Sequence, residues 1–287
     1  MLRFEPIQDA PLGAEVVNYD FSRPLDARVL EAFEDALERY GVLIFRHHSP
    51  SAAEQIAFSR QFGVLETATS KEGGHESHPE LMVVGNPPGR LITFSPANPD
   101  GDLEWHADNM HLTNTARLSV LHAIKVPKSG GDTLFACMFA AYDDLSERER
   151  REFEQLKMVH SISGLETYLE ENTGEASRDA IGPTYGTDKV VWPLVQHHHR
   201  TGRKSLYLGS HVTIGVEDWP VDKSRALIRK LVDRATRPEF QLRYRWQQGD
   251  VVMWDNRRVL HAGTYYDVRR YDRLLYRTTV RDPYPAT

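Results

Sequence analysis

From Leu81 to Val280 the apolar residues come mostly in short runs, set apart by clusters of Gly, Pro, Asn and Asp. Runs that short are too brief for ordinary helices and suit strands with at least one buried face. They fall at Leu81–Val84, Leu118–Ile124, Asp132–Ala136, Val190–Val195 and Ser205–Leu208, and through the tail from Phe240 to Val280. In that tail Gly249-Asp250 sets a turn ahead of Val251-Val252-Met253-Trp254. Helical spacing appears elsewhere. Leu25–Tyr40 carries Val29, Leu30, Phe33, Ala36 and Leu37 on one stripe and stops at Gly41. Ser51–Phe62 opens with Ser51 and Glu54 in capping-box register. Further helical patterns lie at Met138–Leu156, Tyr168–Glu171 and Asp222–Ala235. The expectation is a mainly β fold with helical insertions, with a double-stranded β-helix (jelly roll) core. Periodicity alone does not separate that core from other antiparallel folds. No repeat or Pro/Gly/Ser linker divides the sequence, so residues 1–287 read as a single domain.

Composition excludes several classes of partner. A net charge of -6 offers nothing to a nucleic-acid backbone or an anionic membrane. No apolar run is long enough to span a bilayer, and the opening MLRFEPIQDAPLGAEV lacks the plan of a signal peptide. The single cysteine, Cys137, rules out an internal disulfide and reads as a small core residue. A cytoplasmic location is the expectation.

Trp105-His106-Ala107-Asp108 puts an imidazole and a carboxylate at i and i+2, positions that share a face on a strand. His261, at the end of Asp255–His261, offers a third ligand. Two histidines and one carboxylate form the facial triad of non-haem Fe(II) oxygenases, which leaves three coordination positions open. With thirteen histidines in the chain, His-x-Asp by itself is an easy chance match. The tail adds independent weight. Arg273 and Arg277 are four apart, again one face of a strand, and a guanidinium fork binds carboxylates bidentately. Thr133, in Gly130-Gly131-Asp132-Thr133, adds a hydroxyl donor at the start of a strand. Such a set suits a keto acid that chelates iron at one end and needs an anchor at the other, as 2-oxoglutarate does. Without the triad, surface salt bridging is an equal reading of the two arginines.

Other residues have plainer readings. His197-His198-His199 reads as a solvated turn, and His122 and His160 as core histidines. Trp105 and Trp254 flank the ligands as packing. Asn256 is placed to orient the surroundings of His261. His211 follows a strand and is a candidate pocket residue. Arg257 and Arg258 suit surface ion pairs as well as a pocket.

A family likeness then emerges. LGAEV, YGVLIFR, EQIAFSRQFG, EWHAD, SGGDTLFA, VWPLV, TGRKSLYLG, QGDVVMWDNRRVLH and RLLYRTTV run in order from Leu12 to Val280. In this the chain resembles the taurine dioxygenase and 2,4-dichlorophenoxyacetate dioxygenase family of Fe(II)/2-oxoglutarate enzymes. PLVQHHHRTGRKSLYLGSHV and Ala140–Asp143 lean toward the phenoxyacetate branch. The resemblance implies His106, Asp108 and His261 as iron ligands, and Thr133 with Arg273 as the anchor of the distal 2-oxoglutarate carboxylate. It implies Arg277 near the C1 carboxylate or the substrate anion, and O2 as co-reactant. Lys71 matches a lysine that meets the substrate carboxylate, and His75 lies in a loop that covers the site in this family. Members are often dimers or tetramers. Two departures concern substrate. Asp102 stands where the taurine branch has asparagine and would repel a sulfonate, and Met110 replaces a smaller polar residue after the aspartate ligand.

The implied substrate is a small organic acid, with ether cleavage of an aryloxyalkanoate as the leading expectation. Hydroxylation or desaturation of another small carboxylate or sulfonate is the rival. A zinc hydrolase and a non-catalytic β-barrel binding protein are the alternatives of other classes. The hydrolase would leave Thr133, Arg273 and Arg277 without a purpose, and the binding protein would need one triad or anchor residue to be structural rather than chemical, yet all are present.

Overall fold

The computed structural model describes residues 2–68, 73–87, 95, 96, 98–165, 167 and 189–284. Local chemistry starts its helices. Asp26 accepts the N–H groups of Arg28 and Val29 at 2.9 and 2.8 Å and so caps α1 (Ala27–Tyr40). Gly41, at φ 73°, ends that helix in a conformation that favours glycine. Reciprocal Ser–Glu boxes open α2 (Ala52–Arg60) at Ser51/Glu54 and α4 (Glu147–Phe153) at Ser146/Glu149. The pattern over Met138–Leu156 therefore resolves into two helices, α3 (Met138–Asp143) and α4, with the Ser146 cap between them. The last helix is α5 (Val221–Ala235). The helical pattern at Tyr168–Glu171 lies outside the described residues. Among those residues, no helix is long and apolar enough to cross a membrane.

The strands are β1 (Arg3–Pro6), β2 (Ala14–Val17), β3 (Val42–Phe45), β4 (Met82–Gly85) and β5 (Ala116–Lys125). Next come β6 (Thr133–Cys137), β7 (Lys157–His160), β8 (Val190–Pro193), β9 (Val195–His197) and β10 (Lys204–Leu206). The last five are β11 (Thr213–Val216), β12 (Gln241–Tyr244), β13 (Val251–Asp255), β14 (Val259–Gly263) and β15 (Leu274–Arg281). A seven-stranded sheet runs β1-β2-β3-β13-β5-β15-β4; β12-β6-β14 and β11-β7-β8 form sheets of three, and β10-β9 a pair. Every pairing is antiparallel except β2 with β3.

This arrangement corrects the jelly-roll expectation. The chain is a mixed α/β fold; among the described residues its strands fall into four separate sheets, and none of these closes into a barrel. The short apolar runs were rightly read as strands. What periodicity does not carry is which strand hydrogen-bonds to which, and the two ends of the large sheet, β1 and β4, do not pair with each other.

Alternation along the strands sorts side chains into layers. On one face of the large sheet, Leu43, Phe45, Leu118, Val120, Val251 and Met253 pack against Phe33 and Leu37 of α1 and Ile56 and Phe58 of α2. Its other face sends Val42, Ile44, Leu121, Val252, Trp254 and Leu275 toward Phe135, Val259 and Leu242 of the β12-β6-β14 sheet. The outer face of that smaller sheet, through Leu134, Ala136, Leu260 and Ala262, meets α3, α5 and the remaining strands. Trp254 and Phe135 are fully buried with ring centroids 5.5 Å apart, each worth about 1.5–3 kcal/mol of burial. The functional residues lie between the two sheets, where that apolar layer gives way to polar side chains.

Candidate metal centre

His261 lies on β14 at a position whose neighbours of the same parity face the large sheet, so its ring enters the space between the sheets. His106 is brought alongside by a single antiparallel bridge. Its N–H donates to the His261 carbonyl at 3.1 Å, and the His261 N–H donates back at 2.9 Å. The two imidazole centroids are 4.3 Å apart. The His-x-Asp segment is therefore not a strand, as the sequence suggested. After one bridge it turns, with Asn109 at φ 56°, and the turn delivers Asp108 beside the rings. One nitrogen from each histidine and one oxygen of Asp108 all lie within 4.8 Å of one another, close enough to share one ion.

Hydrogen bonds and burial set the surroundings of the three donors. His106 Nδ1 lies 2.8 Å from the Glu104 carbonyl and must donate to it, so a neutral ring keeps its lone pair on Nε2. His261 is 8% exposed, and burial, with His106 beside it, pushes its pKa down to about 3, which keeps it neutral. Asp108 is 3% exposed; burial opposes its charge, yet Arg277, the two imidazoles and the Ser119 hydroxyl outweigh burial and hold the carboxyl below its usual range. Two imidazoles and one carboxylate on a single side suit a divalent first-row metal.

The arginines divide their positions. Arg277 donates through Nη1 to Asp108 Oδ1 and through Nη2 to Met82 Sδ at 3.0 Å. Arg273 is 4% exposed; its Nε is buried without a hydrogen-bond partner, no carboxylate lies in ion-pair contact with it among the described residues, and Asp132 acts on it only at longer range. Burial pushes it down to about 10. The Tyr266 ring lies 5.9 Å away, and a Cβ added to Gly131 would lie 3.4 Å from its Cδ and Nε. Two residues beyond Gly131, Thr133 accepts the Trp246 indole N–H at 2.9 Å, so its own hydroxyl proton remains to be given. Beside Arg277 opens a cleft of about 150 Å³, walled in part by Met82, Asn109, Leu112 and Thr279.

Residues 3–279 match the taurine catabolism dioxygenase TauD, TfdA family. The chain belongs to that family. It is 37% identical over 279 residues to the alpha-ketoglutarate-dependent 2,4-dichlorophenoxyacetate dioxygenase of Cupriavidus pinatubonensis, covering 94% of this chain and 95% of that protein. It is 36% identical over 273 residues to the pentalenolactone F synthase of Streptomyces arenae, covering 91% of this chain and 90% of that one. A solved structure of AAD-2 in complex with Mn(II) and N-oxalylglycine superposes with a TM-score of 0.80 at 30% identity, covering 100% of both chains. This TauD/TfdA chain, with His106, Asp108 and His261 together, is an Fe(II)/2-oxoglutarate-dependent dioxygenase. The zinc-hydrolase and binding-protein alternatives fall with that assignment.

The remaining expected site residues of this TauD/TfdA dioxygenase are scattered. Lys71 lies outside the described residues. His75 packs edge-on against Tyr276 at 5.0 Å, and Tyr276 leaves β15 on the face opposite Arg277. Asp102 is exposed ahead of the ligand segment. Met110 is fully buried in the outer core with Trp105 and Leu208, its sulfur close to Gly209. His211 pairs through Nδ1 with the buried Glu104.

One expectation fails outright. His198, read as part of a solvated turn, is 1% exposed and bonds through Nε2 to Asp255 at 2.9 Å, with Phe139 edge-on to it. Arg257 shares that carboxylate, and Arg258 donates to the Leu37 carbonyl at 3.3 Å. None of these groups reaches the metal centre. Sequence reasoning passed over Ser119 and Glu104. The only signal for Ser119 was a hydroxyl between the apolar Leu118 and Val120.

Proposed function

We propose that this dioxygenase holds Fe(II) on His106, Asp108 and His261, takes 2-oxoglutarate as cosubstrate and hydroxylates a small organic acid. Aryloxyalkanoate ether cleavage is the leading substrate class. The observation that carries the reading is Arg273, buried with its Nε lacking an acceptor and with no carboxylate in ion-pair contact among the described residues. A buried unpaired cation is costly, and a ligand carboxylate reverses that cost. In this reading Arg273 and the Thr133 hydroxyl hold the distal carboxylate of 2-oxoglutarate. Arg277, already on Asp108, holds its C1 carboxylate or the substrate anion. The iron, when bound, supplies oxidative decarboxylation of 2-oxoglutarate by O2 and hydroxylation of a C–H bond. The chain orients the reactants and excludes water; Trp254 packs 4.8 Å from His261, and Phe135 stacks beyond it.

For the substrate, the cleft beside Arg277 joins one cation to the apolar walls of Met82 and Leu112. Its carboxylates Glu66 and Glu80 are already paired with Arg281 and Arg60. An acid with an apolar body fits that chemistry. The similarity to both a phenoxyacetate dioxygenase and pentalenolactone F synthase keeps a second reading, oxidation of a different carboxylate metabolite.

The test is anaerobic reconstitution with Fe(II) and 2-oxoglutarate, followed by oxygen and a panel of acids. The expected result is the weak visible charge-transfer absorption of a chelated keto acid, then succinate stimulated by aryloxyalkanoates. Absorption without stimulation by any aryloxyalkanoate would refute the leading substrate; no absorption in iron-loaded protein would refute the cosubstrate assignment.

A further inference from the structure

The polar groups behind Asp108 form a closed set whose direction is fixed. Ser119, on β5, gives its hydroxyl proton to Asp108 Oδ2 at 2.5 Å. Asn256 Nδ2 donates to Ser119 Oγ at 2.9 Å. Asn256 Oδ1 accepts the Asp108 N–H and the Trp254 indole N–H, both at 3.0 Å. All four residues are buried. An indole offers only a donor, so the Asn256 oxygen must face Trp254 and its amide nitrogen must face Ser119. Ser119 takes that bond on a lone pair, and its one proton is left for Asp108.

The two carboxylate oxygens thus have different tasks. Oδ2 is tied into the protein, while Oδ1 faces Arg277 and stands 3.9 Å from His261 Nε2. We propose that Ser119, oriented by Asn256, is a positioning residue that makes Asp108 a one-oxygen metal ligand. The proposal rests on the reading of Asp108 as an iron ligand. Its importance lies in counting positions. A facial triad leaves three of six octahedral sites open, and a chelating keto acid with oxygen fills all three. Carboxylates also bind metals through both oxygens. If Asp108 did so, one of those three sites would be lost. Without the Ser119 hydroxyl, Oδ2 would be a buried acceptor lacking a donor, and turning toward the metal is its nearest relief.

The experiment compares wild type, Ser119→Ala and Ser119→Thr. It titrates Co(II) into each, follows the visible spectrum, and then measures 2-oxoglutarate affinity on the metal-loaded protein. In Ser119→Ala, Co(II) affinity is expected to hold or rise while 2-oxoglutarate affinity falls about 10- to 100-fold, the scale of groups that orient metal ligands. The cobalt spectrum changes with it. Ser119→Thr, which keeps the hydroxyl, restores both. A role in packing alone would not separate metal from cosubstrate affinity. A Ser119→Ala protein with wild-type spectrum and cosubstrate affinity overturns the proposal, as does one that loses both affinities with Ser119→Thr no better. Asp108→Ala with undiminished Co(II) binding would overturn the ligand reading beneath it. Should Ser119→Ala fail to fold, Asn256→Asp tests the same set from its far end. It puts an acceptor where Asn256 Nδ2 donated to Ser119 Oγ, so the Ser119 proton is drawn away from Asp108 and cosubstrate affinity falls in the same direction; unchanged affinity overturns the proposal.

Discussion

Replacing Arg273 with methionine removes a cation from the space beside the Gly130-Gly131 turn and leaves an unbranched apolar chain. Burial pushes the Arg273 pKa down to about 10, well below the usual arginine range. At about 1.4 kcal/mol per unit, the charged side chain therefore costs the fold about 3 kcal/mol. By linkage that cost is present in full below pH 10, including neutral pH, and is relieved only as pH rises above 10. Without cosubstrate, Arg273→Met is then expected to be more stable than wild type by about 1–3 kcal/mol, the range for buried charges replaced by apolar groups. For a domain of this size that raises the melting temperature by about 2–4 °C per kcal/mol. Cosubstrate reverses the ranking. Two charge-assisted hydrogen bonds at about 1.5–3 kcal/mol each are lost, so affinity for 2-oxoglutarate drops by about 10²- to 10⁴-fold. Paired melts of the Mn(II)-loaded proteins under nitrogen, with and without 2-oxoglutarate, read both effects. Wild type gains about 2.7 kcal/mol at a ligand concentration 100 times Kd, and the variant gains almost nothing at that concentration. A variant less stable than wild type that keeps the full cosubstrate-induced rise would refute both the assigned role and the electrostatic reasoning.

His106→Ala is expected to abolish the charge-transfer absorption and metal-dependent succinate formation while leaving the far-ultraviolet circular dichroism of the fold. Asp255→Ala strands His198 and Arg257 in the interior, so a loss of about 3–5 kcal/mol should appear in urea melts, with oxidation chemistry on the folded fraction unchanged. Burial lowers His160 to about 3, so an unfolded chain binds a proton there first. Stability should fall as pH drops below about 6.5, by up to about 1.4 kcal/mol per unit from this group, and His160→Leu should flatten that slope. In Gly85→Ala the new Cβ would sit 1.9 Å from the Arg273 carbonyl oxygen at φ 131°. It should cost about 1–3 kcal/mol or more and weaken 2-oxoglutarate binding through the displaced Arg273 backbone, both read by the same melts.

Legibility in the sequence followed the range of the forces involved. The Asp26 cap and the Ser51/Glu54 box act within four residues, and α1 and α2 stand close to where spacing placed them. Arg273 and Arg277 were expected on one face of a strand, yet Arg273 stands just ahead of β15 and a register shift at Leu274/Leu275 separates it from Arg277. The partition into sheets was not legible, since it depends on β13 lying between β3 and β5, strands from distant parts of the chain. His198 misled because three consecutive histidines look hydrophilic, whereas its partner Asp255 is supplied by β13. Met110 sits next to the ligands in sequence, yet the turn after Asp108 sends its side chain into the outer core. Ser119 was hidden by its apolar neighbours, and only the arrival of Asp108 and Asn256 gives its hydroxyl a task.

The bridge between His106 and His261 has a consequence for metal choice. Two backbone hydrogen bonds join His106 to His261, the Glu104 carbonyl holds the His106 ring, and buried side chains hold the carboxylate, so the fold itself brings the donor set together. A zinc finger gains its fold from its metal; here a chelator is expected to strip the ion and leave the architecture standing. A preformed site also cannot use folding to reject competitors. Zinc and copper outrank iron at nitrogen and oxygen donors, so occupancy follows the supply of each metal. Mismetallation would then be a silent, reversible loss: a well-folded molecule, indistinguishable by stability alone, that has stopped consuming oxygen.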